Sequence, residues 1–243
     1  MGILLGIVSG KGGTGKSTVA LGLGAAFANL NKSVLLVDLD EGLRCLDLMA
    51  GIEDEVVYDL SDVLSGGDPD AASYKSAFYE NLKIIPAPLT AGSVNYVNLS
   101  VFCERIKNRY DAVIFDFPAG VDFGGFAALG KDIQFIAVTN MDPVSTRDAA
   151  VLPELLPDAK NAPRLIINKF DVRYIKDGLY GNVDSAIDRT GMRLLGLVPI
   201  SADLLTLPLS HKLSKKSRAY AALLRIAKRL SGNDVPLPRP DSI

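Results

Sequence analysis

The 243-residue chain has no tryptophan, a single histidine and two cysteines. Cys45 and Cys103 are far apart and form no C-x-x-C pair, which excludes a disulfide framework or a cysteine-rich metal centre and fits reducing, cytoplasmic surroundings. His211 is too solitary for a histidine metal site and reads as a surface residue. No apolar run approaches the roughly 20 residues of a membrane span, and the first residues do not read as a secretory leader, so none is expected. Neither sign of charge dominates. The formal net charge is −2, which excludes a protein that grips polyanions with its whole surface. Internal repeats and low-complexity blocks are also lacking.

What is present is a core. Hydrophobic residues make up 48% of the chain, enough for one large α/β domain. Short β-branched and leucine-rich runs at 4–8, 34–37, 82–85, 112–115, 135–138, 165–167 and 194–198 alternate with longer helical segments. Most of these runs are continuously apolar, as strands covered on both faces are. The alternation predicts a doubly wound, mostly parallel sheet with helices on both faces, a three-layer α/β/α arrangement. Stretches 58–64 and 71–79, joined by the loop Gly66-Gly67-Asp68-Pro69, read as two helices of an excursion before the third run. Residues 1–231 are expected to form the domain. Residues 232–243, rich in proline, cannot continue a helix and read as an extended or mobile tail.

The most informative stretch follows the first run: Gly10-Lys11-Gly12-Gly13-Thr14-Gly15-Lys16-Ser17-Thr18. It opens a helical pattern with Val19, Leu23, Phe27 and Leu30 at helical spacing. Strand, glycine-rich turn and helix are the context of a P-loop, and Gly10, Gly15, Lys16 and Ser17 fit G-x-x-x-x-G-K-[ST]. The glycines allow backbone angles at which successive N–H groups converge on phosphate oxygens. The helix N-terminus adds unpaired donors. Lys16 is placed to neutralise β- and γ-phosphates, and the Ser17 hydroxyl to ligate Mg²⁺.

Acidic residues lie just beyond other runs, where an open α/β sheet binds ligands. Asp38 ends the second run and Asp40 begins the loop after it. Carboxylates here can hold Mg²⁺-bound water or orient an attacking water. Ala112-Val113-Ile114-Phe115-Asp116 is a Walker B pattern, with Asp116 towards Mg²⁺. Asp142, before Pro143, suits a helix cap. Asn168 carries both a donor and an acceptor, which suits the mixed edge of adenine. Asn168-Lys169-Phe170-Asp171 is equally a pattern for reading guanine through Asp171, so ATP is expected and GTP stays open.

The second lysine, Lys11, makes the loop K-G-G-T-G-K-S-T. With it the sequence resembles the MinD/ParA family of deviant Walker A P-loop ATPases. Asp38-Leu39-Asp40-Glu41-Gly42-Leu43-Arg44-Cys45-Leu46-Asp47-Leu48 and Pro118-Ala119-Gly120 are similar to the two switches of its MinD branch, septum site-determining proteins. The resemblance covers most of the chain. It implies a nucleotide-sandwich dimer in which Lys11 reaches the phosphates of the partner's ATP. It further implies that Asp40 positions the hydrolytic water, Asp38 stands behind the Mg²⁺ ligands, Asn168 reads the base, and the loop at Pro199 lines it. Three positions depart from the branch: Glu41 replaces an apolar residue, Cys45 an asparagine and Phe117 a small polar residue. The departures at Glu41 and Cys45 bear on partner contacts more than on the nucleotide.

Between Lys212 and Arg229 there are seven basic residues and no acidic one: Lys212, Lys215, Lys216, Arg218, Arg225, Lys228 and Arg229. Tyr220, Leu223, Leu224, Ala227 and Leu230 supply an apolar face. This segment reads either as the last helix of the domain with solvated charges or as a basic face for DNA or anionic lipid. The MinD branch usually ends in a basic amphipathic membrane helix, which the prolines at 236, 238 and 240 forbid here. The expected function is therefore a slow, partner-stimulated ATPase, an ATP-dependent homodimer acting in septum placement and peripheral at the membrane at most. The alternatives are a ParA-like DNA partition ATPase, a flagellar or pilus placement ATPase, and a GTPase of the same fold.

Overall fold

A computed structural model describes residues 2–120, 132–156 and 162–242. Its strands are β1 (Ile3–Val8), β2 (Val34–Asp38), β3 (Tyr74–Lys75), β4 (Leu82–Ile85), β5 (Ala112–Asp116), β6 (Ile133–Thr139), β7 (Arg164–Phe170) and β8 (Arg193–Pro199). The first half of the chain adds helices α1 (Lys16–Ala28), α2 (Leu46–Ala50), α3 (Leu60–Leu64) and α4 (Tyr96–Ile106). The second half adds α5 (Pro143–Ala149), α6 (Leu152–Leu155), α7 (Val172–Lys176), α8 (Val183–Thr190), α9 (Ala202–Leu205), α10 (Leu207–Ser210) and α11 (Arg218–Leu230).

The strands form one sheet in the order β3-β4-β2-β5-β1-β6-β7-β8. All neighbours are parallel except β3 and β4. Alternate residues of each strand feed two separate cores. Leu4, Val8, Leu35 and Val37 pack with α3, α4, α5 and α8 on one face. Leu5, Ile7, Val34 and Leu36 pack with α1, α2 and α11 on the other. Both faces being apolar is what made the runs continuous rather than alternating. Each fully buried leucine or isoleucine contributes about 2 kcal/mol, so neither layer of helices is dispensable.

Helix α1 is buried on nearly every side. Gly22 lets α11 approach it: a Cβ there would lie 2.6 Å from a Leu223 methyl. Strands β2 to β5 lie on one side of β1 and β6 to β8 on the other. The carboxyl end of β1 is therefore the switch point at which doubly wound sheets bind ligands.

The stretch 71–79 departs from expectation. Ala72 and Tyr79 are buried seven residues apart, a helix-like spacing. The segment instead forms the short antiparallel edge strand β3, and Tyr74 Oη accepts the N–H groups of Val57 and Tyr58 at 2.9 Å each. The basic segment at 212–230 is helical only from Arg218, where Ser217 caps α11, so Lys212, Lys215 and Lys216 precede the helix. Arg229 is only half-exposed and donates to the carbonyls of Leu195, Val235 and Pro236. His211 is half-buried rather than a plain surface residue, its ring stacked on Phe78 at 5.7 Å. After α11 the chain turns back, and Asp241 meets Lys176 at 3.3 Å. Among the described residues no helix is long and apolar enough to cross a membrane.

Candidate functional site

The loop between β1 and α1 can exist only because of its glycines. Gly13 and Gly15 take φ of 79° and 87°, the left-handed region that side chains resist. A Cβ on Gly15 would also lie 2.3 Å from Asn168 Nδ2, and one on Gly10 would lie 2.1 Å from the carbonyl oxygen of Asp148 in α5. Beyond Gly12 and Gly13 the space is open, with nothing within 4 Å of a Cβ. The result is a cradle of backbone amides at the N-terminus of α1, whose first donors have no partner inside the helix.

Helix α1 and two strands bring charge to this cradle. Lys16 Nζ lies 2.9 Å from Asp116 Oδ1 at the end of β5, 3.3 Å from Ser17 Oγ and 3.9 Å from Asp40 Oδ2. Asp116 is the register neighbour of Asp38 at the end of β2. Asp38 accepts the backbone N–H groups of Asp40 at 2.9 Å and Leu46 at 3.3 Å, so it shapes the loop that carries Asp40. Burial, reinforced by the Asp116 charge, pushes the Asp38 carboxyl up to about 7. Burial also raises Asp40, with Lys16 pulling the other way. For Lys16 itself burial works against the charge, but Asp116, Asp40 and Asp38 outweigh it and hold the ammonium above its ordinary value.

Lys11 sits at the rim, a third exposed, with Nζ 3.5 Å from Asp142 Oδ1. Asp142 caps α5 through Ser145 N at 2.9 Å, with Pro143 in the first turn, as its sequence context suggested. Asn168 is buried at the end of β7, where its Nδ2 donates to Thr14 O at 2.8 Å. A cavity of about 240 Å³ opens beside it, lined by Gly15, Thr18, Asn168, Lys169, Pro199 and Leu204 among others. Asp171 is engaged elsewhere. It caps α7 through Arg173 N and is held by the Arg173 guanidinium, so its carboxylate is committed to α7 rather than to a base. Phe117 is buried in the core against Phe115 and Phe135, with Gly6 leaving it room. Gly120 N reaches Ser9 O at 3.1 Å and keeps Pro118-Ala119-Gly120 beside the loop.

The residues present fit a magnesium nucleotide. Thr14 Oγ1, Asp116 Oδ2 and Asn168 Oδ1 are buried at the cradle and its flank with no partner in the protein. No cluster of three His, Cys, Asp or Glu side chains could hold a metal alone among the described residues. Mg²⁺ does not need one, because it keeps waters and takes substrate phosphate oxygens beside one or two protein ligands. Ser17, Asp116, Asp38 and Asp40 are the groups available to it.

Three further residues join the site. Cys45 occupies the N-cap position of α2 without a side-chain cap bond, and burial pushes its thiol up to about 11, with the Ser17 side chain pulling the other way. Glu41 accepts the N–H groups of Gly92 and Val94 and so ties the Asp40 loop to the segment before α4. Lys169 Nζ donates to Gly13 O at 2.7 Å. The departure of Glu41 and Cys45 from the branch pattern was their only sequence signal, and Lys169 had none beyond its place after Asn168.

Residues 5–214 match the model of the CobQ/CobB/MinD/ParA nucleotide binding domain. The septum site-determining protein MinD of Bacillus subtilis is 34% identical over 247 residues, which covers 98% of this chain and 92% of that protein. Among solved structures, the MinC:MinD cell division complex of Aquifex aeolicus superposes with a TM-score of 0.88 at 32% identity, covering 98% of this chain and 99% of the other. MinD of Pyrococcus horikoshii complexed with Mg-ADP gives 0.82 at 27% identity, with 95% and 96% covered.

Proposed function

The chain belongs to the CobQ/CobB/MinD/ParA nucleotide-binding family and is a P-loop ATPase using Mg²⁺, and we propose that it works as an ATP-dependent dimerisation switch that places the division septum. The observation that carries this reading is the pair of lysines on one loop. Lys16 is sunk among three carboxylates, whereas Lys11 stands at the rim with, among the described residues, one ion-pair partner at 3.5 Å.

In this reading the amides of residues 12–17 bind the polyphosphate, and Lys16 leaves Asp116 to neutralise the β- and γ-phosphates. Ser17 and the Asp116 and Asp38 carboxylates would hold Mg²⁺, directly or through water, and the ion would supply charge withdrawal from the polyphosphate. Asp40 orients the attacking water. Asn168 and Pro199 hold the adenine. Lys11 crosses to the second protomer and adds positive charge where negative charge develops. The dimer therefore completes the site, and hydrolysis dissolves it.

One relative is named as a complex with MinC, which supports a regulatory partner of that kind here, one that stimulates slow turnover. The exposed Lys212, Lys215, Lys216 and Arg218 are the candidate contact to a phosphate-bearing surface. Liposome flotation against retention on nonspecific DNA, over a salt series, separates a membrane from a nucleoid. We place the protein in the cytoplasm, since both cysteines are free.

Sedimentation with a nonhydrolysable ATP analogue tests the switch. The wild type should dimerise. Lys11→Ala should bind the analogue with affinity within a few-fold of wild type and stay monomeric. A stable dimer of that variant removes the role given to Lys11.

A further inference from the structure

The end of β7 breaks strand alternation. Successive side chains of a strand point to opposite faces, and Ile166 and Ile167 do so, one in each core. Ile167 then pairs with Leu197, but the next pair is Phe170 with Pro199: three steps on β7 against two on β8. The extra residue is a bulge, and Lys169 absorbs it at a φ of 51°, a conformation that a lysine rarely takes. Because alternation is broken, two consecutive side chains reach the same loop. Asn168 holds Thr14 O at 2.8 Å, and Lys169 holds Gly13 O at 2.7 Å.

In a trans peptide the N–H points away from the C=O of the same plane. Fixing the Gly13 and Thr14 carbonyls towards β7 therefore aims the N–H groups of Thr14 and Gly15 the opposite way, into the cradle. We propose that Lys169 is a positioning residue of the phosphate cradle: its ammonium, by holding Gly13 O, sets the direction of the Thr14 amide that meets the polyphosphate. Its aliphatic stem meanwhile walls the cavity beside Asn168. A strained backbone residue thus links the base end of the site to the phosphate end.

This inference rests on the ATP-site reading, and binding of Mg-ADP to the wild type, measured by calorimetry, tests that reading separately. Given that binding, Lys169→Met keeps the stem and removes the donor, Lys169→Ala removes both, and Lys169→Arg restores a charged donor. Loss of one charge-assisted bond predicts that Lys169→Met weakens Mg-ADP about ten- to a hundredfold. Lys169→Ala should match it, Lys169→Arg should recover most of the loss, and the effect should fall on KM more than on kcat. Melting temperatures without nucleotide should stay together. Wild-type affinity in Lys169→Met would overturn the proposal, since the stem alone would then account for the residue. So would a fall in melting temperature that tracks the loss of affinity.

Discussion

Consider replacing Lys16 by Met in the nucleotide-free protein. Lys16 is 5% exposed and pairs with Asp116, which is fully buried, while Asp38, also fully buried, sits beside Asp116 in the sheet. Methionine matches the stem and removes the charge, leaving adjacent carboxylates without their ammonium. Breaking a buried pair from one side costs about 3–5 kcal/mol. At roughly 2–4 °C per kcal/mol for a domain of this size, that is a fall of about 10 °C in melting temperature.

The sign of the pH dependence follows from Asp38. Its folded value, pushed up to about 7 from an ordinary 3.8, means that the folded chain keeps a proton that the unfolded chain has released. Stability therefore declines as pH rises between those values. Lys16 is one of the influences that lower Asp38, so without it the declining window extends above 7. The loss in Lys16→Met should thus be large near pH 8 and much smaller near pH 5.5, where a proton can replace the ammonium. Adding Asp116→Asn should recover most of it. Calorimetric or circular-dichroism melts of the wild type, Lys16→Met and the double variant at both pH values make the measurement. Equal losses at the two pH values, or no recovery with Asp116→Asn, would refute the reasoning.

Asp40→Ala should lower single-turnover ATP hydrolysis by about 10²–10³-fold while Mg-ATP binding holds, trapping the dimer; normal turnover would take the water-positioning role from Asp40. Asp171→Ala should cost about 1 kcal/mol through the lost cap of α7, read by denaturant unfolding, and leave the ratio of ADP to GDP affinity unchanged in competition binding. A changed ratio would return Asp171 to the base.

The sheet and the phosphate cradle were legible in the sequence because their signals are local. A run buried on both faces is apolar throughout, and the loop glycines at 13 and 15 stand where the backbone must turn left-handed. Asp38 and Asp116 could be found because they end runs. What escaped depends on pairing between distant segments. The strand at Tyr74 and Lys75 exists only because β4 offers it an edge, and nothing in residues 71–79 outweighs their helix-like spacing. The bulge at Lys169 is set by register with β8, which one strand's sequence cannot state. Asp171 shows the converse. Its spacing after Asn168 fits a guanine reader, yet Arg173, two residues on, claims the carboxylate.

The order of strands bears on how the protein is made. The amide cradle at 10–18 and the carboxylates at 38, 40 and 116 belong to the first half of the chain, whereas Asn168, Lys169 and Pro199 come from strands added on the far side of β1. A ribosome releases the first group long before the second. Newly made chain therefore carries a loop whose Gly13 and Thr14 carbonyls still lack their clasp until β7 has emerged from the exit tunnel.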